Sequence, residues 1–335
     1  MFKYILKRLL ISIVILFGVS VIIYSLVRMM PADYVDNKFA AQLKTGAITQ
    51  EQIDEYKKAY GIDDDSFKGI IVGYSKWINS LLHGNLGISF KYQKPVAQVI
   101  GENMWISFAI ALVATVLQFL IAIPLGITSA THQYSALDYV VTIFTMIGIS
   151  LPTYFFAAVA IKFFAMDLGW LPNSGLIDPA ANYTKDFAGM MAKFGDICEH
   201  LVLPIFVSVI LSIGGLMRYT RTNTLEVLNA DYIRTARAKG LSEHKVVYKH
   251  VFRNTLIPLA TLLAGILPSL FGGMMITEQV FGIDGIGRLA YQALREGDVP
   301  FVMGYNMFLA VLTIIGTLFS DIMYSVVDPR VKLGK

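Results

Sequence analysis

Three clusters in this chain carry side chains of the types that do chemistry. Cys198, Glu199 and His200 are metal-capable residues in succession. Consecutive positions on a helix point in different directions, and no second cluster completes a tetrahedral set, so they read as a polar helix entrance. Asp63, Asp64 and Asp65 bring three carboxylates together without the alternating ligands and glycine of a calcium loop, which makes them a solvated turn. Gly282-Ile283-Asp284-Gly285-Ile286-Gly287 is rich enough in glycine to suit a phosphate. It follows an apolar stretch, however, and lacks the strand and βαβ unit of a dinucleotide site, so it reads as a turn. No G-x-x-x-x-G-K-[ST] occurs, so ATP is not hydrolysed here by a P-loop, and H-E-x-x-H and G-x-S-x-G are absent as well. The residues point to a chain with no catalytic, cofactor-binding or metal site of its own.

What must position these residues is set by where charge is missing. Of 335 residues, 55% are hydrophobic and only 16% charged, against roughly 25% charged in average soluble chains. A single cysteine excludes a disulfide scaffold, and a net charge of +4 is too small for a nucleic-acid binder. Six stretches contain no Asp, Glu, Lys, Arg or His: 9–27, 103–131, 139–161, 201–217, 254–277 and 299–320. A bilayer core about 30 Å thick takes roughly 20 helical residues, and a backbone in lipid must satisfy its own hydrogen bonds. Each stretch therefore predicts a helix, and the chain reads as an all-α polytopic membrane protein with six transmembrane helices. The first stretch exceeds the usual apolar run of a secretion signal, and Arg28-Met29-Met30-Pro31 offers no small-residue cleavage site, so it reads as an uncleaved span. With the long outer segment 28–103 set aside, 14 Lys and Arg fall on the side of the termini against five on the other. Both termini are expected in the cytoplasm.

Three segments lie outside the lipid. In the outer segment, Thr49 and Gln52 have capping-box spacing, and Ile53, Tyr56 and Tyr60 recur near helical period until Gly61. Asp54 and Lys58 add an i,i+4 pair. The second outer segment, 162–200, contains Gly169-Trp170-Leu171-Pro172, an interfacial aromatic followed by a turn. The cytoplasmic segment 218–253 holds eight basic residues against Glu226, Asp231 and Glu243. Ala230, Ile233, Ala236 and Arg237 share a helical face, and Gly240 falls where that helix stops. Ser242 or its neighbours then cap a second helix carrying Val246, Val247 and Tyr248. Period and charge leave two readings open: a rigid knob of two short helices that docks a partner, or a basic loop that fixes orientation and touches anionic lipid. The spans hold no ionisable group, which argues against an ion-coupled carrier. Pro258, Gly265, Pro268, Gly272 and Gly273 mark the fifth stretch for kinking and close helix approach.

Taken in order, the motifs resemble those of a known family. They are Lys7-Arg8-Leu9-Leu10, Met30-Pro31, His83-Gly84-Asn85-Leu86-Gly87, Ile123-Pro124-Leu125-Gly126, Leu151-Pro152 and Gly169-Trp170-Leu171-Pro172. The strongest is Asp231-Tyr232-Ile233-Arg234-Thr235-Ala236-Arg237-Ala238-Lys239-Gly240-Leu241-Ser242, followed by Arg253-Asn254, Pro258, Glu278, Val280-Phe281, Gly285, Gly287 and Asp328-Pro329-Arg330. Over nearly its whole length the chain resembles the membrane permease of ATP-binding cassette (ABC) importers, in the dipeptide/oligopeptide/nickel branch. The match is to the B-type permease, which has an extracytoplasmic insertion. That resemblance implies the type I ABC importer permease fold in a bacterial inner membrane. It implies a tail and first helix over 1–30, the insertion over 31–102, and a core of five helices over 103–335. It implies a coupling segment that meets the ATPase through Tyr232, Arg234, Ala236, Arg237, Gly240, Leu241 and Ser242. Arg234 and Thr235 stand where the general motif has Glu and Ala.

A gate or pathway helix is expected around Pro268, Gly272, Gly273 and Glu278. The implied partners are a second homologous permease, two cytoplasmic ATPases that use ATP and Mg, and an extracytoplasmic solute-binding protein. The expected cargo is di- or oligopeptides, with oligosaccharides, nickel or glutathione as alternatives. The readings from other classes are an ion-coupled secondary carrier, or a membrane anchor for a complex.

Overall fold

The computed structural model describes residues 2–29, 39–40, 43–44, 46, 49–59, 64, 66–260 and 262–327. Met30, Pro31, Tyr60, Gly61, Asp63, Asp65 and the ending Asp328-Pro329-Arg330 lie outside the described residues. In chain order the helices are α1 (Phe2–Arg28), α2 (Gln50–Ala59), α3 (Phe67–Leu82), α4 (Val96–Thr131), α5 (Ala136–Ser150) and α6 (Thr153–Ala160). The last continues into a π-helical stretch, Ile161–Asp167. Then come α7 (Phe187–Leu228), α8 (Asp231–Ala238), α9 (Glu243–Lys245), a π-helical stretch Val246–Val251, and α10 (Phe252–Ala260). The remainder are α11 (Leu263–Phe271), α12 (Met275–Phe281), α13 (Ile286–Glu296) and α14 (Val299–Val327). Among the described residues there is no strand, only one isolated bridge between Ile88 and Pro95.

Among the described residues, four helices are long and apolar enough to cross a membrane: Leu6–Arg28, Val96–Thr131, Phe187–Leu228 and Val299–Ile322. Two further pairs pass only together, because each is bent: Ala136–Ser150 with Thr153–Asp167 by 106°, and Gly265–Phe281 with Ile286–Glu296 by 77°. The count is six when each pair is one span. The expectation of one helix per stretch is thus corrected at 139–161 and 254–277. At the first, Leu151 and Pro152 are extended, with ψ of 128° and 135°, because proline lacks a donor and drives the residue before it out of the helical region. At the second, Gly273 with φ +75° interrupts the run between α11 and α12, and the 77° bend itself falls after Phe281, where Gly282 has φ +66°. Elsewhere the helices overrun the charge-free stretches. α4 begins at Val96, and α7 extends over 42 residues, about 63 Å at 1.5 Å each, well beyond a bilayer core.

The chain divides into two compact units: Met1–Asn103 with Leu289–Ile314, and Met104–Arg288 with Ile315–Lys335. In the second, α7 is the central element. Small residues let its backbone approach its neighbours closely, as lipid-embedded packing requires. A Cβ on Gly214 would stand 2.8 Å from the Thr145 carbonyl oxygen of α5, and one on Gly148 would stand 3.0 Å from that of Ile210. On α4, a Cβ on Gly126 would lie 2.8 Å from the Met217 carbonyl oxygen. Ile110, Leu203, Val207, Phe281 and Ile283 form a buried cluster that ties α4, α7 and the end of α12 together.

In the first unit, α1 packs on the outer segment. Tyr24 stacks on Trp77 of α3 with ring centroids 5.9 Å apart, and the Ser20 and Tyr74 hydroxyls lie 2.7 Å apart. The backbone carbonyl of Thr49 starts α2, accepting from the Ile53 amide at 3.2 Å, and Ile53 is buried with Phe39, Trp77 and Phe90. After α3, Gly84 and Gly87 take positive φ, and the chain turns toward Asp298. The Asp298 carboxylate is fully buried and accepts from the amides of Phe90 and Lys91 at 3.0 Å, from the Phe301 amide at 3.2 Å, and from the Ser89 hydroxyl. One acceptor group thus satisfies the turn before α4 and the start of α14. Asp298→Ala leaves several buried donors unpaired and is expected to destabilise the protein by about 2–5 kcal/mol. A thermal scan in detergent checks this against Glu102→Ala, an exposed control expected within about 0.5 kcal/mol of the parent.

Candidate functional site

The basic segment folds into an elbow. Its first residues, from Arg218 to Leu228, are not a loop but the end of α7, so the helix that crosses the bilayer runs on without a joint as far as Asn229. The α8 helix then buries Ile233 and Ala236 against Val246 and Val251, with Val227, Leu228 and Leu241 packed around them. Burying an Ile or Val side chain contributes about 1.5–3 kcal/mol, so this small core outweighs the exposed ion pairs around it. Gly240 has φ +77°. Its amide donates to the Arg237 carbonyl at 2.9 Å, and the Leu241 amide reaches back to the Ala236 carbonyl at 3.4 Å, closing the helix end in a Schellman turn. The second helix begins at Ser242, whose side chain makes no capping hydrogen bond, and it passes into the π-helical stretch after one turn.

The residues picked from the motif divide between the two faces of this elbow. Ala236 is buried and Leu241 half-buried; Tyr232, Arg234, Arg237, Gly240 and Ser242 are exposed. Arg237 therefore departs from the inner face that its spacing gave it. Its guanidinium instead clamps Glu243 across the glycine turn, at 2.7 and 3.2 Å. A Cβ on Gly240 would meet nothing within 4 Å, so its backbone conformation, not its packing, requires glycine. Tyr232, Arg234, Ser242 and Tyr248 stand exposed around this apolar core.

The second group, at the end of the fifth stretch, is a buried turn. Glu278 is fully buried. Its carboxylate accepts from the Ser107 hydroxyl at 2.7 Å and from the amides of Met274 and Arg288 at 2.9 Å, while Ser107 accepts from the Ile286 amide at 2.8 Å. Gly273, Gly285 and Gly287 crowd around it, and a Cβ on Gly287 would stand 3.0 Å from the carboxylate. The glycine-rich run thus wraps a carboxylate of its own chain. Pro268 accepts from the Gly272 amide at 2.7 Å as α11 ends. Gly265 and Ser269, one helix face away, line a cavity of about 450 Å³ together with Thr115, Gln118 and Tyr219. Of the metal-capable triplet, Cys198 and Glu199 are exposed and His200 is buried, with Nδ1 2.9 Å from the Asp196 carbonyl oxygen. No cluster able to hold a metal occurs among the described residues.

Asp138 and Arg221, which no motif singles out, form a two-bond pair at 2.9 Å between α5 and α7.

The elbow makes a pH prediction. The Arg237 guanidinium hydrogen-bonded to Glu243 holds that carboxyl below its ordinary value of 4.5, and Glu243 in turn raises Arg237. A lowered carboxyl contributes its stabilisation in full above the ordinary value and loses it as pH falls through the folded-state value. Amide exchange at Gly240 and Leu241, measured against Glu243→Gln at matched pH, should show extra protection near pH 6. That difference should shrink as pH falls below the ordinary carboxylate range.

The comparisons with known proteins can be set against this geometry. The family described as "Binding-protein-dependent transport system inner membrane component" matches residues 122–333, and the family described as "Binding-prot-dependent transport system membrane comp, N-term" matches residues 1–111. The chain is 34% identical over 333 residues to the oligopeptide transport system permease protein AppB of Bacillus subtilis, covering 99% of this chain and 100% of that one. It is 30% identical over 341 residues to the dipeptide transport system permease protein DppB of Alkalihalophilus pseudofirmus, with 99% and 100% covered. A solved structure of the inward-facing MetNI methionine ABC transporter aligns with a TM-score of 0.48 and 17% identity, over 69% of this chain and 97% of that one. The chain belongs to the family of binding-protein-dependent transport system inner membrane components.

Proposed function

We propose that this chain is the peptide-conducting permease of an ABC importer, a non-catalytic membrane subunit whose elbow takes mechanical work from a separate ATPase. The observation that carries the proposal is the elbow itself: exposed Tyr232, Arg234 and Ser242, braced by Ile233, Ala236, Val246 and Val251, at the end of a helix that also crosses the bilayer. A force applied to α8 reaches that helix across only the two-residue turn at Asn229 and Ala230. Both termini lie in the cytoplasm, because the excess of Lys and Arg places the elbow on that side. The cargo class follows from the full-length relatives named for oligopeptide and dipeptide transport. Peptide passes between this chain and a second, homologous permease, delivered by an external binding protein and driven by two ATPases that use ATP and Mg. The cavity at Gly265 and Ser269 belongs to that path, and the Glu278 turn sets the angle at which the path-lining helix leaves the membrane.

In proteoliposomes containing the whole complex, Gly240→Glu is expected to cut peptide uptake per ATP hydrolysed by roughly tenfold or more, within the usual range of coupling energies, while the four membrane and ATPase subunits still copurify. The variant forces a long acidic side chain into a left-handed backbone position on the exposed side of the elbow. Uptake per ATP equal to that of the parent complex would sink the proposal.

A further inference from the structure

A charged contact joins the helix that carries the elbow to two other helices. Arg221 sits two turns before the end of α7, between the bilayer and the elbow. Its Nε donates to Asp138 Oδ1 and its Nη2 to Asp138 Oδ2, both at 2.9 Å, while Nε also reaches the Ser129 hydroxyl at 3.0 Å. Asp138 is 5% exposed. It further accepts from the Ser129 hydroxyl at the end of α4 and from the Tyr134 amide, at 3.0 Å, in the turn between α4 and α5. Tyr134 holds a left-handed φ of +64° there, and the Ser135 hydroxyl caps α5 by accepting from the Asp138 amide at 3.2 Å. One carboxylate therefore joins three helices.

Its neighbourhood explains why this contact matters more than the packing around it. Toward the bilayer centre, α7 is locked to α5 by glycine contacts at Gly148 and Gly214, and beside the pair Gly126 of α4 packs closely on Met217 and Thr220 of α7. On the α5 side at the level of the pair the packing is looser: a cavity of about 290 Å³ opens beside Arg221, lined by Thr142, Thr145, Arg218 and Thr222. Close beside the elbow, the α5 side is thus held by a directional fork rather than by close-packed surface. A two-bond fork fixes register as well as distance, which an apolar contact does not.

We propose that the Asp138–Arg221 pair, with Ser129, is the positioning contact that passes displacement of the elbow to α4 and α5. This inference rests on the proposed coupling role of the elbow. Without the pair, α7 still moves with the ATPase, but the α4–α5 turn no longer follows, and hydrolysis proceeds without opening the path.

The test uses the complete complex in proteoliposomes with its binding protein. Asp138→Asn removes the charge, and the double variant Asp138→Leu with Arg221→Met replaces the pair with apolar side chains of similar volume, which commonly preserves folding. In whichever variant assembles, copurification and basal ATP hydrolysis should match the parent, while uptake per ATP and stimulation of hydrolysis by the loaded binding protein fall roughly 5- to 150-fold. Uptake per ATP within about twofold of the parent in the assembled double variant would overturn the proposal, as would a loss of uptake that merely tracks lost assembly in both variants. Failure of the coupling reading itself looks different: the parent complex would then show no ATP-driven uptake, or Gly240→Glu would leave it unchanged.

Discussion

Hydrocarbon accepts no unpaired backbone group, and that constraint governs every interruption in this chain. At three of the breaks among the described residues, a buried carboxylate receives the amides that the break sets free. Asp138 takes the Tyr134 amide at the α4–α5 turn, Glu278 takes those of Met274 and Arg288, and Asp298 takes those of Phe90, Lys91 and Phe301. Each is at most 5% exposed, and each also holds a serine hydroxyl: Ser129, Ser107 and Ser89.

The consequence for mechanism is a division of labour among the helices. Where two backbones must move together, glycine brings them into contact, as at Gly148 and Gly214. Where direction must be fixed, a charged fork is used. The elbow combines both strategies on a small scale, with an apolar core for rigidity and the Arg237–Glu243 clamp across its turn.

Much of this was legible in the residues. Charge-free stretches located the spans because lipid excludes charge with little regard to neighbours, and Gly240 announced a helix end because few other residues adopt its φ. The bends were less legible. Pro124 and Pro204 sit inside unbroken helices while Pro152 follows a sharp break, so proline alone does not say which outcome tertiary packing selects. Helix α3 was missed although Ile70, Tyr74, Trp77, Ile78 and Leu81 repeat at helical spacing and pack on the first core. Its period was there to be counted. The pairing of Asp138 with Arg221 could not be found this way, since 83 residues separate them and nothing local links them.

The long helix α7 crosses the lipid between His200 and Arg218 with no ionisable side chain, and Arg221 beneath it travels with its counter-ion. Carrying one elementary charge through a membrane potential involves about 2.3 kcal/mol per 100 mV. The stretch of α7 between His200 and Arg218 carries no side-chain charge on which that field can act.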